Sequence, residues 1–201
     1  MRIEKGLVVK QTGTRQGTEA GDGGRPSEGW LRVISAAHAM LEQCEGFVRE
    51  VPGNVYASES QVLPGGTVGK HLRHVLDHYA AIVETEVLSG TGEVDYDHRD
   101  RDTPMESDRE AAIARVAALR ARVAGLARVS EATTLKVRVM VTGDGGEAVL
   151  GSTLARELAF ATHHAVHHQA MMKAIAGEFG VEAGPEFGKA PSTINHELMR
   201  K

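Results

Sequence analysis

The sequence predicts an all-α protein, an up-down four-helix bundle with a small β-hairpin before its last helix. Three observations predict it. Four segments repeat apolar residues at helical spacing, about 3.6 residues apart. One stretch, residues 134–150, instead alternates apolar and polar residues. Aromatic residues make up only 4 % of the chain, and alanine and valine supply much of the apolar content. Small side chains in quantity suit closely packed helices.

In chain order, residues 1–27 predict a flexible leader, because QTGTRQGTEAGDGGRPSEG is too polar and glycine-rich to bury a core. Residues 7–9 are a short apolar piece within it. Trp30, Leu31, Ile34, Ala37, Leu41, Cys44, Phe47 and Val48 then mark a first helix over 27–50, which stops before Pro52. The loop GNVYASESQVLPGG follows, and a second helix spans 67–88. The third starts near Thr103-Pro104-Met105-Glu106, a capping-box pattern, or one turn later at Ser107…Glu110. Its apolar face is Ile113, Val116, Leu119, Val123 and Leu126. Leu135, Val137, Val139 and Val141 form one face of a strand. A turn at 143–146 returns the chain as a second strand over 147–150. The fourth helix covers 152–179, and residues 181–201 read as a loop-like tail with one last helical turn.

Charge and cysteine content exclude several functions. The net charge is −4 and no cluster of lysine or arginine stands out, so no nucleic-acid partner is expected. The single cysteine, Cys44, allows neither a disulfide within the chain nor a cysteine zinc site. It reads as a buried thiol. No apolar run approaches the ~20 residues needed to span a bilayer, and the N-terminus lacks a signal-peptide core. A cytoplasmic protein with no membrane partner is the expectation.

The histidines carry the chemistry. Seven of the ten, His71, His74, His78, His163, His164, His167 and His168, lie on the second and fourth helices. On a helical wheel, Leu154, Phe160, Ala161, Met171, Met172, Ile175 and Phe179 share one face of the fourth helix. His164 and His168 fall near its centre, with Glu157 on the same stripe. His163 and His167 fall toward its edge. An i, i+4 histidine pair offers a metal two nitrogens from one helix face. The second helix, in KHLRHVLDHY, offers His71, His74 and His78 as further ligands. A hydrogen-bonded core cluster is the competing explanation, but so many buried imidazoles need a partner for each nitrogen. His38 reads as a hydrogen-bonded residue at the core edge, and His98 and His196 as surface or capping residues. Glu-x-x-His, His-Glu-x-x-His and Gly-x-Ser-x-Gly are all absent.

KHLRHVLDHY followed by HAVHHQA resembles the DinB/YfiT-type metal-binding four-helix bundles over roughly residues 28–180. The resemblance implies one metal ligand from the second helix and a His-x-x-x-His pair from the last. Matching HVLD and HHAVHHQ places these on His74, His164 and His168, with His71 and His78 as alternates. It further implies a divalent metal (Zn²⁺, Ni²⁺ or Fe²⁺) and a low-molecular-weight thiol as cosubstrate. FGKAPST and VDYDHRDRDTP look like subgroup features to which the resemblance gives no role.

The function expected from this is that of a metal-dependent enzyme. Three neutral nitrogens leave the metal open, so that it can activate a thiol or a water for transfer, isomerisation or hydrolysis of a small molecule. Glu157 would then support a ligand from outside the coordination sphere or serve as base. The alternative is a non-catalytic metal-binding or structural helical module, and either form is compatible with a homodimer.

Overall fold

A computed structural model describes residues 25–83, 85–90 and 92–200. The protein is mostly helical with a small three-stranded sheet. Its elements are α1 (Glu28–Glu50), α2 (Gly53–Tyr56), α3 (Val68–Val83), α4 (Thr85–Leu88), β1 (Val94–Asp95), α5 (Arg109–Gly125), β2 (Thr134–Met140), β3 (Glu147–Thr153), α6 (Leu154–Glu178) and α7 (Pro191–Leu198). The predicted leader lies outside the described residues except for residues 25–27, and the apolar piece at 7–9 lies outside them too.

The four long helices lie where the apolar periodicity places them, except that the stretch predicted as one helix over 67–88 comprises α3 and the separate short α4. α1 packs on α5 and α6, and α3 packs on the same two partners. The shared core holds Trp30, Leu41, Leu72, Tyr79, Leu119, Leu158 and Met172, all 2 % exposed or less. Burying one such side chain contributes roughly 1.5–3 kcal/mol. Cys44 sits in this core, fully buried. The start of α1 is fixed by Ser27, whose hydroxyl accepts from the Trp30 amide at 3.0 Å and donates to Glu131 at 2.6 Å. The Trp30 indole donates to the carbonyls of Val129 and Leu126.

Several boundaries differ from expectation. The Thr103–Glu106 pattern opens a short 3-10 turn, Pro104–Glu106, and α5 starts only after it, capped by Asp108. Asp108 outcompetes Ser107 because its carboxylate accepts from the amides of both Glu110 and Ala111. The second strand of the hairpin is longer than predicted. It runs through Thr153, which caps α6 directly, so no loop separates β3 from the helix. A strand that sequence periodicity did not reveal, β1, pairs parallel to β2, with Val94 opposite Val137. Two residues are too few to show a period of two. Phe160 and Phe179, predicted inward, are 37 % and 40 % exposed. Phe160 lies at the rim of the helix interface, under the Arg156 guanidinium at 5.4 Å, and Phe179 is the residue that ends α6.

The tail is partly packed. Phe187 stacks on Phe47 of α1 at 4.3 Å between ring centroids. The Gly188 amide donates to the Gln169 side chain of α6. Its φ of +76° and a backbone neighbour 2.7 Å from where a Cβ would stand both demand glycine.

Candidate metal centre

α3 and α6 face each other, and their histidines meet. His74 and His164 bring their Nε2 atoms to 2.9 Å. His164 and His168, one turn apart on α6, bring theirs to 3.1 Å. His78 is one turn beyond His74. One nitrogen each from His74, His78 and His164 lies within 4.8 Å of the others, close enough to hold a metal ion. Of the two flanking residues, His78 is 5 % and His168 8 % exposed. His163 and His167 point to solvent, as their place on the wheel requires. His38, half-buried on α1, is not among the histidines that meet, and among the described residues it makes no side-chain hydrogen bond. His98 is exposed and bridges Asp95 and Glu147. His196 is exposed on α7.

The close nitrogens can share ring hydrogens or hold a cation. A ring nitrogen carries either one hydrogen or one in-plane lone pair. His164 Nε2 has two nitrogen neighbours, at 2.9 and 3.1 Å. If His164 Nε2 is bare, both neighbours can donate to it; if it carries the hydrogen, that one N–H is shared between two acceptors. A metal would instead take a lone pair from each ring it binds. Two nitrogens bound tetrahedrally at 2.0–2.1 Å stand about 3.3 Å apart, only slightly wider than the spacing found.

The remaining ring nitrogens are held from outside. His78 Nδ1 donates to the His74 carbonyl at 2.9 Å, so the neutral ring presents a bare Nε2. His168 Nδ1 meets His71 Nδ1 at 2.9 Å. His71 therefore sits behind His168 and can accept its proton, which leaves His168 Nε2 free for a cation. Burial, reinforced by neighbouring imidazoles, pushes His74 down to about 2, His168 to about 3 and His78 to about 4. Burial also lowers His71 and His164. Each of these shifts favours the neutral ring, the state in which a histidine can bind metal.

A second group of side chains supports this centre. Tyr96, carried just past β1, stacks on His78 at 4.7 Å with the rings 12° from parallel. Its hydroxyl donates to Glu157 at 2.7 Å, and the Ser152 hydroxyl donates to the other oxygen of that carboxylate. Glu157 reaches the histidines only through Tyr96. Arg99 follows on the same segment and donates to the Tyr96 carbonyl. Sequence reasoning missed Tyr96, Arg99 and the buried Arg73. The Asp and Arg pairs of VDYDHRDRDTP were the available signal, but only the pairing of β1 with β2 brings that segment to the histidines. The loop before α3 is drawn in as well. Glu178 at the end of α6 accepts from the Ser60 hydroxyl and the Gln61 amide, which pins residues 60–66 beside His71.

No family model matches the chain. No solved structure matches it either. A 124-residue stretch, 60 % of the chain, is 34 % identical to FK506-binding protein 5 of Rhizopus delemar. The chain spans about a third of that relative's length, 32 %, and the relative's name describes that protein alone. Among the described residues no helix is long and apolar enough to cross a membrane.

Proposed function

We propose that the protein is a metal-dependent enzyme built on a DinB/YfiT-type up-down four-helix bundle, with a divalent metal held by His74, His164 and His168. The carrying observation is the meeting of three Nε2 atoms, at 2.9 and 3.1 Å about His164, where ring protons alone leave one hydrogen or one lone pair shared between two contacts. The mutual packing of α1, α3, α5 and α6 supports the bundle. When bound, a zinc, nickel or iron ion would supply a Lewis-acid position that lowers the pKa of a thiol or a water. The chain's own residues do the rest. His71 takes the Nδ1 proton of His168, the His74 carbonyl fixes the ring of His78, and the Glu157–Tyr96 pair holds that ring flat. A low-molecular-weight thiol attacking a small electrophile, or water doing so, is the reaction class this arrangement suits.

The position of His78 favours a second reading. Its Nε2 is bare, and one nitrogen each of His74, His78 and His164 lies within 4.8 Å of the others. If it also binds, four imidazoles close the site and the metal is structural. Elemental analysis of tag-free protein separates the possibilities. About one equivalent of a transition metal is expected, lost in the His164→Ala/His168→Ala double variant and retained in His78→Ala. Loss of metal in His78→Ala would support the closed site. No metal after reconstitution with zinc, nickel and iron would end both readings.

A further inference from the structure

His71, His74 and His168 form one wall of a cavity of about 480 Å³. The charged residues in its lining are Lys70, Arg73 and Arg99, and no carboxylate lines it. The charge of Arg73 is matched behind the wall, by Glu106 at 3.1 Å and Asp77 at 3.7 Å. Arg99 shares that Asp77, at 3.8 Å, and has no second carboxylate as Arg73 has in Glu106; the Nε atoms of both arginines are buried without a hydrogen-bond partner. Lys70 donates to the Gly65 carbonyl at 2.9 Å, a contact that neutralises nothing. The three imidazoles in the wall carry no negative charge in either protonation state. The lining therefore carries three cations against the two carboxylates behind Arg73, so the cleft that borders the candidate reacting centre keeps an excess of positive charge.

We propose that this cavity seats its small molecule by an oxyanion, a carboxylate or a phosphoryl group, held by Arg99 and Lys70, so that the rest of the molecule lies against His74 and His168. A guanidinium presents a fork that matches either group, and a charge-assisted bond there is about twice as strong as a neutral one. The substrate class rests on reading the histidines as the reacting centre; the oxyanion seat does not.

The test uses calorimetric titrations on the full chain. Acetate and inorganic phosphate, titrated into metal-free protein, read the seat alone and show which oxyanion it prefers. Arg99→Gln should weaken the preferred anion by at least about tenfold. Arg99 also holds the Tyr96 carbonyl, so Lys70→Gln is the second variant, with a several-fold weakening expected and no change in melting temperature. Mercaptoacetate and 2-mercaptoethanol, titrated into zinc-loaded protein, read the seat beside the metal. Mercaptoacetate should bind at least about tenfold tighter, and Arg99→Gln should erase that preference while leaving 2-mercaptoethanol unchanged. Neither anion binding the metal-free protein, affinity unaltered in Lys70→Gln, or equal affinity for the two thiols would each overturn the proposal. Anion binding that depends on Arg99 and Lys70 in a chain that takes up no zinc would keep the seat and reject the metal.

Discussion

At the scale of single residues, the centre depends on which nitrogen each ring exposes. His71 tests this without touching the metal position. Removing a group that orients a ligand typically costs 10–100-fold in metal affinity. His71→Ala should therefore weaken zinc by about that factor in a chelator competition, while the solvent-facing His163→Ala leaves it unchanged. Equal affinities in the two variants would remove His71 from the site. The low pKa values give a second expectation, for the metal-free chain. Unfolded imidazoles protonate near pH 6.5, but His78 and His168 in the folded chain do so only at about 4 and about 3. Between those limits the unfolded chain binds more protons, so stability rises with pH across the window. Urea midpoints should be highest above about pH 6.5 and fall steadily as the pH drops toward 4. His168→Gln should flatten that slope. A midpoint that does not move between pH 7 and pH 5 would show that the rings are not held neutral by the fold.

At the scale of elements, the close approach of α3 to the 3-10 turn at Pro104–Glu106 sets where the histidine helix begins. A Cβ on Gly69 would stand 2.0 Å from the Glu106 carbonyl oxygen and 2.9 Å from the Tyr56 ring. Tyr56 in turn donates to the Met105 carbonyl at 2.6 Å, so the backbone there is held on both sides. Gly69→Ala should destabilise the protein by about 1–3 kcal/mol in urea unfolding. Gly46→Ala, on α1 with nothing within 4 Å, should be stabilising by about 0.5–1 kcal/mol. Elements with a strong period were legible in the sequence. The apolar faces of α1, α3, α5 and α6 and the alternation of β2 placed them, and the wheel separated His164 and His168 from His163 and His167. What the sequence did not carry was contact between segments distant along the chain. Tyr96 belongs to the site because β1 pairs with β2, forty residues on, and Arg99 because it follows Tyr96. No local spacing encodes either. The choice between His78 and His168 as neighbour to His74 and His164 was hidden for the same reason. It depends on how far α3 slides along α6, which side-chain packing decides.

At the scale of the whole molecule, the histidine centre is a tie between α3 and α6. Those helices already share Tyr79 and Thr162, whose hydroxyls meet at 3.2 Å in the core. A metal that binds the folded chain and not the unfolded one adds stability by mass action, about 2.7 kcal/mol at a free concentration one hundred times its dissociation constant. For a chain of this size each kcal/mol raises the melting temperature by about 2–4 °C. Zinc added to metal-free protein at that excess should therefore raise the melting temperature by about 5–10 °C, and a chelator should return it to its starting value. The double variant His164→Ala/His168→Ala separates this tie from other effects of zinc, because it leaves the surface histidines and carboxylates in place. Its melting temperature should not respond. A rise of the same size in the variant would put the metal elsewhere on the chain. A flat response in the wild type would mean that helices α3 and α6 are held without metal, by their apolar contacts and by a hydrogen-bonded imidazole cluster in which the two contacts of His164 share one hydrogen or lone pair. In that outcome His164→Leu, which strips His74 and His168 of their shared partner, should lower the melting temperature equally with and without zinc, whereas in a metal-binding protein the loss should be larger when zinc is present.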